Sequence, residues 1–148
     1  MEYIPANESD KEYFRDLNEQ CYRDLVGRQF GSWDSDPQSQ IFDAKWETQR
    51  FQKIIVNDVV VGGIWVDENP QDNQLREIQI HPMYQNKGIG TLVVQDVMRQ
   101  AQRDRKRLWL KVLHENQALN LYERLGFVVT EKTDVQYIMV LNPSGASA

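Results

Sequence analysis

The chain has 148 residues, 41% of them hydrophobic and 26% charged, with a net charge of −5. That balance fits one ordinary soluble domain; it excludes a disordered chain or a run of membrane spans, and it argues against a protein that coats nucleic acid. The only cysteine, Cys21, cannot close an internal disulfide. With no leader-like start in "MEYIPANESDKEY", this points to a reducing, cytoplasmic setting.

In chain order, "YIP" reads as a first strand. A helix is expected from about Asp10 to Val26, with Phe14, Leu17, Cys21 and Leu25 on one face and Gly27 as its stop. "QFGSWDSDP" reads as a loop. A second helix from about Gln38 to Thr48 would present Ile41, Phe42, Lys45 and Trp46 on one side. "FQKIIVNDVVVGGIWV" is a hairpin turning at Asn57-Asp58, and Gly62-Gly63 within it marks a bulge or a close backbone approach. "QLREIQI" follows as a strand with Ile78 and Ile80 on one face, ended by His81-Pro82.

A strong amphipathic helix is expected from Gly88 to about Asp104, where Ile89, Val93, Val97 and Ala101 recur at every fourth position. Arg99, Arg103, Arg105, Lys106 and Arg107 gather at its end, where cations suit the negative pole of the helix. "LWLKVL" is a strand, and "NQALNLYERLGF" is a short helix capped by Asn116 and stopped by Gly126. "FVVTEK" and "VQYIMVL" complete the strands. Residues 143–148 are small and polar, the composition of a fraying tail.

The chemistry concentrates in "HPMYQNKGIGT". Glycines at the mouth of a helix allow φ > 0 and remove the Cβ that would hold a ligand away, and free N–H groups there suit a phosphate. One charge at such a pole gains roughly 0.3–1 kcal/mol when exposed. "GIGTLV" lacks the third glycine of a dinucleotide loop, and nothing reads G-x-x-x-x-G-K-[ST].

Together, "IQIHPMYQNKGIG" and "NQALNLYERLGF" resemble the GCN5-related N-acetyltransferase family. The first matches its Q/R-x-x-G-x-G/A acetyl-CoA loop. The second matches its N-x-x-A-x-x-(Y/F)-Y-x-x-x-G-F signature, with Leu121 where an aromatic is common. The resemblance implies an α/β (α+β) fold over residues 1–142. Its mixed, mostly antiparallel sheet has six or seven strands, splays centrally and is flanked by four helices.

It implies acetyl-CoA as cofactor and a primary amine of a small molecule or peptide as acceptor. The backbone of Gln85, Asn86, Lys87, Gly88, Ile89 and Gly90, with Thr91 alongside, would cradle the pyrophosphate. The strand carrying Ile78 and Ile80 would pair with the pantetheine amides, and a main-chain N–H near Ile80 would meet the oxyanion. Asn116 would bond the pantetheine arm as well as cap its helix. Tyr122 matches the family's general acid, since a phenol near pKa about 10 can protonate a thiolate; the alternative is a core tyrosine.

The base is open between Glu77, His81 and a water chain. Alternation places Glu77 with Gln79, opposite Ile78 and Ile80. For the acceptor, Phe30 and Trp33 would wall an amine and Asp34 would pair with it; the alternative is an acidic turn with Trp33 packed on the core. Cys21 reads as a buried small hydrophobe, and no metal-ligand spacing is present. Pairing through the last strands makes a homodimer an expectation too. A different class, a non-catalytic acyl-CoA sensor of the same fold, shares all of these features except turnover.

Overall fold

Asn57 and Asp58 take φ of 51° and 65°, the double left-handed geometry of a type I′ turn, which matches the twist of the strands it joins. Those strands are β2 (Gln52–Val56) and β3 (Val59–Glu68). The computed structural model describes residues 1–143; the expected tail lies, beyond Pro143, outside the described residues. The other elements are β1 (Glu2–Pro5), α1 (Lys11–Phe30), α2 (Ser35–Trp46), β4 (Asp72–Ile80), α3 (Ile89–Arg103), β5 (Arg107–Leu113), α4 (Ala118–Arg124), β6 (Val128–Lys132) and β7 (Gln136–Leu141). Single 3-10 turns at Glu8–Asp10 and Pro82–Tyr84 precede α1 and α3.

The strands form a seven-stranded sheet in the order β1-β2-β3-β4-β5-β7-β6. The pairs β1–β2, β2–β3, β5–β7 and β6–β7 are antiparallel. The parallel ladder of β4 with β5 comprises only Asp72–Gln74 against Arg107–Trp109, and the rest of β4 continues past it. Family-like architecture is therefore present: a mixed, mostly antiparallel sheet with four α-helices.

Contacts divide the chain into two compact units. The first comprises Met1–Trp65 with Glu77–Gly90, and the second Val66–Arg76 with the chain from Thr91 onward. In the first, an aromatic core of Phe14, Phe42, Trp46, Phe51 and Trp65 closes around Leu17. Phe14 packs on Phe51 with ring centroids 4.5 Å apart. Gly63 leaves the room for this: a Cβ there would lie 2.2 Å from Phe14 Cε1. Arg15 of α1 reaches Ser39 at 2.6 Å and Asp43 at 2.7 Å on α2, and its hydrogen bond holds the Asp43 carboxyl below the usual carboxylate range.

Gly62 marks the close approach foreseen for this hairpin, because a Cβ there would sit 2.0 Å from the carbonyl oxygen of Gln79 on β4. Beside it the register slips between Ile54 and Ile55, leaving Val61 as the extra residue of β3. In the second unit, Val93, Val94, Val97 and Ala101 of α3 are buried, as the four-residue repeat requires. Leu108, Leu110 and Val112 of β5, with Met139 and Val140 of β7, are buried as well.

Three boundaries differ from expectation. Helix α1 does not stop at Gly27; it continues to Phe30 and is capped by Gly31, whose φ of 95° closes the turn with an N–H to Gly27 O bond of 2.9 Å. Helix α2 begins at Ser35, because Pro37 falls in the first turn, where its missing N–H costs nothing. On α2, Phe42 and Trp46 are buried but Ile41 is 57% exposed, so Ile41 leaves the predicted apolar side. Asn116 does cap α4, accepting the Ala118 N–H at 2.9 Å.

Candidate active site

The end of β4 is tied down at a single carbonyl. Ile80 O accepts from Gln85 Nε2 at 2.8 Å and from Cys21 Sγ at 3.3 Å. The chain between is one 3-10 turn, in which Tyr84 N–H donates to His81 O at 2.8 Å and Met83 N–H to His81 Nδ1 at 3.1 Å. The His81 imidazole thus serves the turn. Its own N–H is committed to Val61 O at 2.8 Å, so the His81 amide is not a spare oxyanion donor.

Beyond Gln85 the backbone turns through left-handed positions, Asn86 at φ 63° and Gly88 at φ 82°, and enters α3 at Ile89. A Cβ on Gly88 would meet nothing within 4 Å, and one on Gly90 would meet only Ile80 Cγ1, at 3.8 Å. Residues 85 to 88 are exposed. The first turn of α3 carries no acidic side chain, so its unpaired N–H groups face no competing anion. This is the shape and polarity that a pyrophosphate fits.

Glu77 stands in a network that the sequence did not announce. Its Oε1 accepts from Lys45 Nζ at 2.7 Å, and its Oε2 accepts from the Tyr22 hydroxyl at 2.9 Å and from Gln79 Nε2 at 3.5 Å. Gln79 Nε2 also donates to Asn18 Oδ1 at 3.3 Å. The Glu77 and Lys45 side chains are 16% and 22% exposed. Gln79 is 2% exposed, and its Oε1 is buried without a partner. Alternation along β4 thus sends Glu77 and Gln79 together toward α1 and α2, as expected. The available signals were Lys45 inside an apolar stripe of α2, and Asn18 and Tyr22 four residues apart on α1.

Burial pushes the Cys21 thiol up to about 11, helped by the nearby Glu77 charge. Such a thiol is protonated and inert at neutral pH. The Tyr13 hydroxyl is buried without a partner. Burial first, then Cys21 and Tyr84, push it up to about 12.

Of the acceptor candidates, Phe30 ends α1 and is 53% exposed. Trp33 is half-buried in the following loop. Asp34 occupies the N-cap position of α2 without a side-chain capping bond. In the second unit, Tyr122 is 6% exposed and its ring meets Phe127 edge-on at 5.7 Å. Arg99 pairs with Asp96, and Arg103 donates to Gln100, so both are engaged on their own helix. Among the described residues, no cluster of His, Cys, Asp or Glu is arranged to hold a metal ion, and no helix is long and apolar enough to cross a membrane.

The family model described as the acetyltransferase (GNAT) family matches residues 11–127. The chain belongs to this family. Among curated proteins none matches the sequence. Among solved structures, the PaiA N-acetyltransferase of Thermoplasma acidophilum, in complex with coenzyme A, is 14% identical. It superimposes with a TM-score of 0.75 over 96% of this chain and 99% of its own. The ribosomal-protein-S18-alanine N-acetyltransferase of Escherichia coli is 19% identical, with a TM-score of 0.70 over 98% of this chain and 95% of its own. A GNAT acetyltransferase of Elizabethkingia anophelis with acetyl-CoA bound is 15% identical, with a TM-score of 0.68 over 95% and 97%. At these identities the likeness establishes the fold.

Proposed function

We propose that this GNAT acetyltransferase moves an acetyl group from acetyl-CoA to the primary amine of a small molecule or peptide, by direct attack in a ternary complex. The observation that carries the reading is the open, glycine-hinged mouth of α3, with left-handed Asn86 and Gly88 and no acidic side chain in the first turn. Backbone N–H groups from Gln85 to Gly90, with Thr91, hold the pyrophosphate there. Only three residues of β4 are laddered to β5, which leaves the backbone around Ile78 and Ile80 for pairing with the pantetheine amides. Asn116 is assigned to the same arm from the resemblance. Bound acetyl-CoA supplies the activated thioester.

The remaining tasks fall to protons. An amine near pKa about 10 arrives as an ammonium and must lose a proton before it attacks. In this reading Glu77 receives it: an incoming ammonium replaces Lys45 on Oε1 while Tyr22 and Gln79 hold Oε2. Proton return to the departing thiol is assigned to Tyr122 from the family signature.

Thiol release from acetyl-CoA, measured over polyamines, aminoglycosides, amino acids and peptide N-termini, tests the proposal. Turnover with at least one acceptor is expected, falling about 100-fold in Tyr122→Phe. Glu77→Gln is expected to remove the acidic limb of the pH–rate profile, and an unchanged limb overturns that assignment. Coenzyme binding without release from any acceptor contradicts the enzyme reading and favours an acyl-CoA sensor.

A further inference from the structure

Along the C-terminal half of α1 runs an open groove of about 530 Å³, lined by Arg23, Asp24, Gly27, Arg28, Gly31 and Trp33. That volume lies within the range of small-ligand sites. Its wall carries two guanidiniums against one carboxylate, so the lining is net positive although the whole chain is at −5. Trp33, half-buried, supplies a flat apolar side.

Gly27 has no explanation in packing. It sits inside a helix, where glycine costs about 0.5–1 kcal/mol relative to alanine. Its φ is not positive, unlike that of Gly31, and a Cβ added there would meet nothing within 4 Å. What its missing side chain does is leave open the stretch of α1 between Arg23 and Arg28. The groove is also well placed. Cys21 is the residue of α1 bonded to Ile80 O, and at 1.5 Å rise per residue Asp24 and Arg28 follow it by about 5 and about 10 Å along the axis.

We propose that this groove takes the carboxylate of an acidic acceptor, an amino acid or peptide with a carboxylate near its reactive amine, and that Arg23 and Arg28 select for it. This deepens the acetyl-transfer reading and rests on it for the role of acceptor. Arginine forks match a carboxylate with paired N–H bonds, which lysine or a helix end alone does not. The mixed lining, with Asp24 beside the arginines, suits a ligand that carries an ammonium as well as a carboxylate.

The test uses peptides with a free N-terminus and Glu or Gln at the second and third positions. Binding is read by tryptophan fluorescence, with Trp33→Phe identifying the signal, and turnover by thiol release. The Glu peptide should bind at least about tenfold more tightly than the Gln peptide. In Arg23→Gln/Arg28→Gln this ratio should collapse toward one, through Kd and KM rather than kcat. Gly27→Ala should raise the unfolding midpoint yet weaken the Glu peptide several-fold. Equal binding of the two peptides, or a preference that survives in the double variant, overturns the proposal. If the acidic preference appears in binding while no acceptor turns over, the groove stands and the acetyl-transfer reading fails.

Discussion

Replacing Gly62 by alanine tests how tightly the strand that leads into the site is held. The new Cβ would lie 2.0 Å from Gln79 O and 3.1 Å from both Gln79 C and Ile80 Cα. All three neighbours are backbone, so no side chain can rotate away. Reaching an ordinary contact of about 3.4 Å requires a retreat of about 1.4 Å (3.4 − 2.0), more than an N–H···O bond can stretch. The nearby bond from His81 N–H to Val61 O, 2.8 Å long, is among those at risk. Overpacking costs about 1–3 kcal/mol and each broken bond about 0.5–1.5, so a loss of about 2–4 kcal/mol is expected. That is a large share of a typical 5–15 kcal/mol total. Urea unfolding followed by fluorescence gives the value from the midpoint at constant slope. Coenzyme affinity should fall as well, because Gln79 and Ile80 move. A Gly62→Ala protein within about 0.5 kcal/mol of the parent refutes the close approach.

Further predictions address the loop, the ion pair and the alkaline limb. Gly88→Ala places a Cβ at φ 82°, which costs about 1–2 kcal/mol or forces the loop to shift; calorimetry should show coenzyme binding weakened several-fold. Lys45→Met leaves Glu77 without its ammonium at 16% exposure, and urea unfolding at pH 7 should show a loss of about 1–2 kcal/mol, between exposed and buried pairs. Tyr13 and Cys21 are raised in the fold from 10.0 to about 12 and from 9.0 to about 11. The fold therefore favours their protonated forms, and that stability is whole below pH about 9 and lost as the pH climbs toward about 12. Tyr13→Phe/Cys21→Ala should flatten the fall of the urea midpoint across that window; an unchanged slope contradicts it.

The sequence disclosed most where one local rule acts alone. The turn at Asn57-Asp58, the four-residue repeat of α3, the cap by Asn116 and the alternation of Glu77 with Gln79 each follow from a single backbone or periodicity constraint. The failures lie where two rules compete. Gly27 looked like a stop, but Gly31 takes the left-handed position that a helix end requires, and a helix tolerates one interior glycine. Pro37 looked like a barrier before α2 and proved to be part of its first turn. Ile41 and Lys45 changed places with respect to expectation: the isoleucine is exposed, and the lysine turns inward to meet Glu77. Partners such as Tyr22, Asn18 and Lys45 are distant in sequence from Glu77, so no local pattern could assemble them. The glycine loop was legible because its chemistry is carried by the backbone, and glycine spacing reports backbone directly.

The most direct test of the central claim is residue-resolved amide exchange by NMR with and without coenzyme A, read at Asn86 to Thr91. Coenzyme A should slow exchange at these amides more than elsewhere in α3. Saturating coenzyme that leaves them unchanged would mean the mouth of α3 does not hold the pyrophosphate.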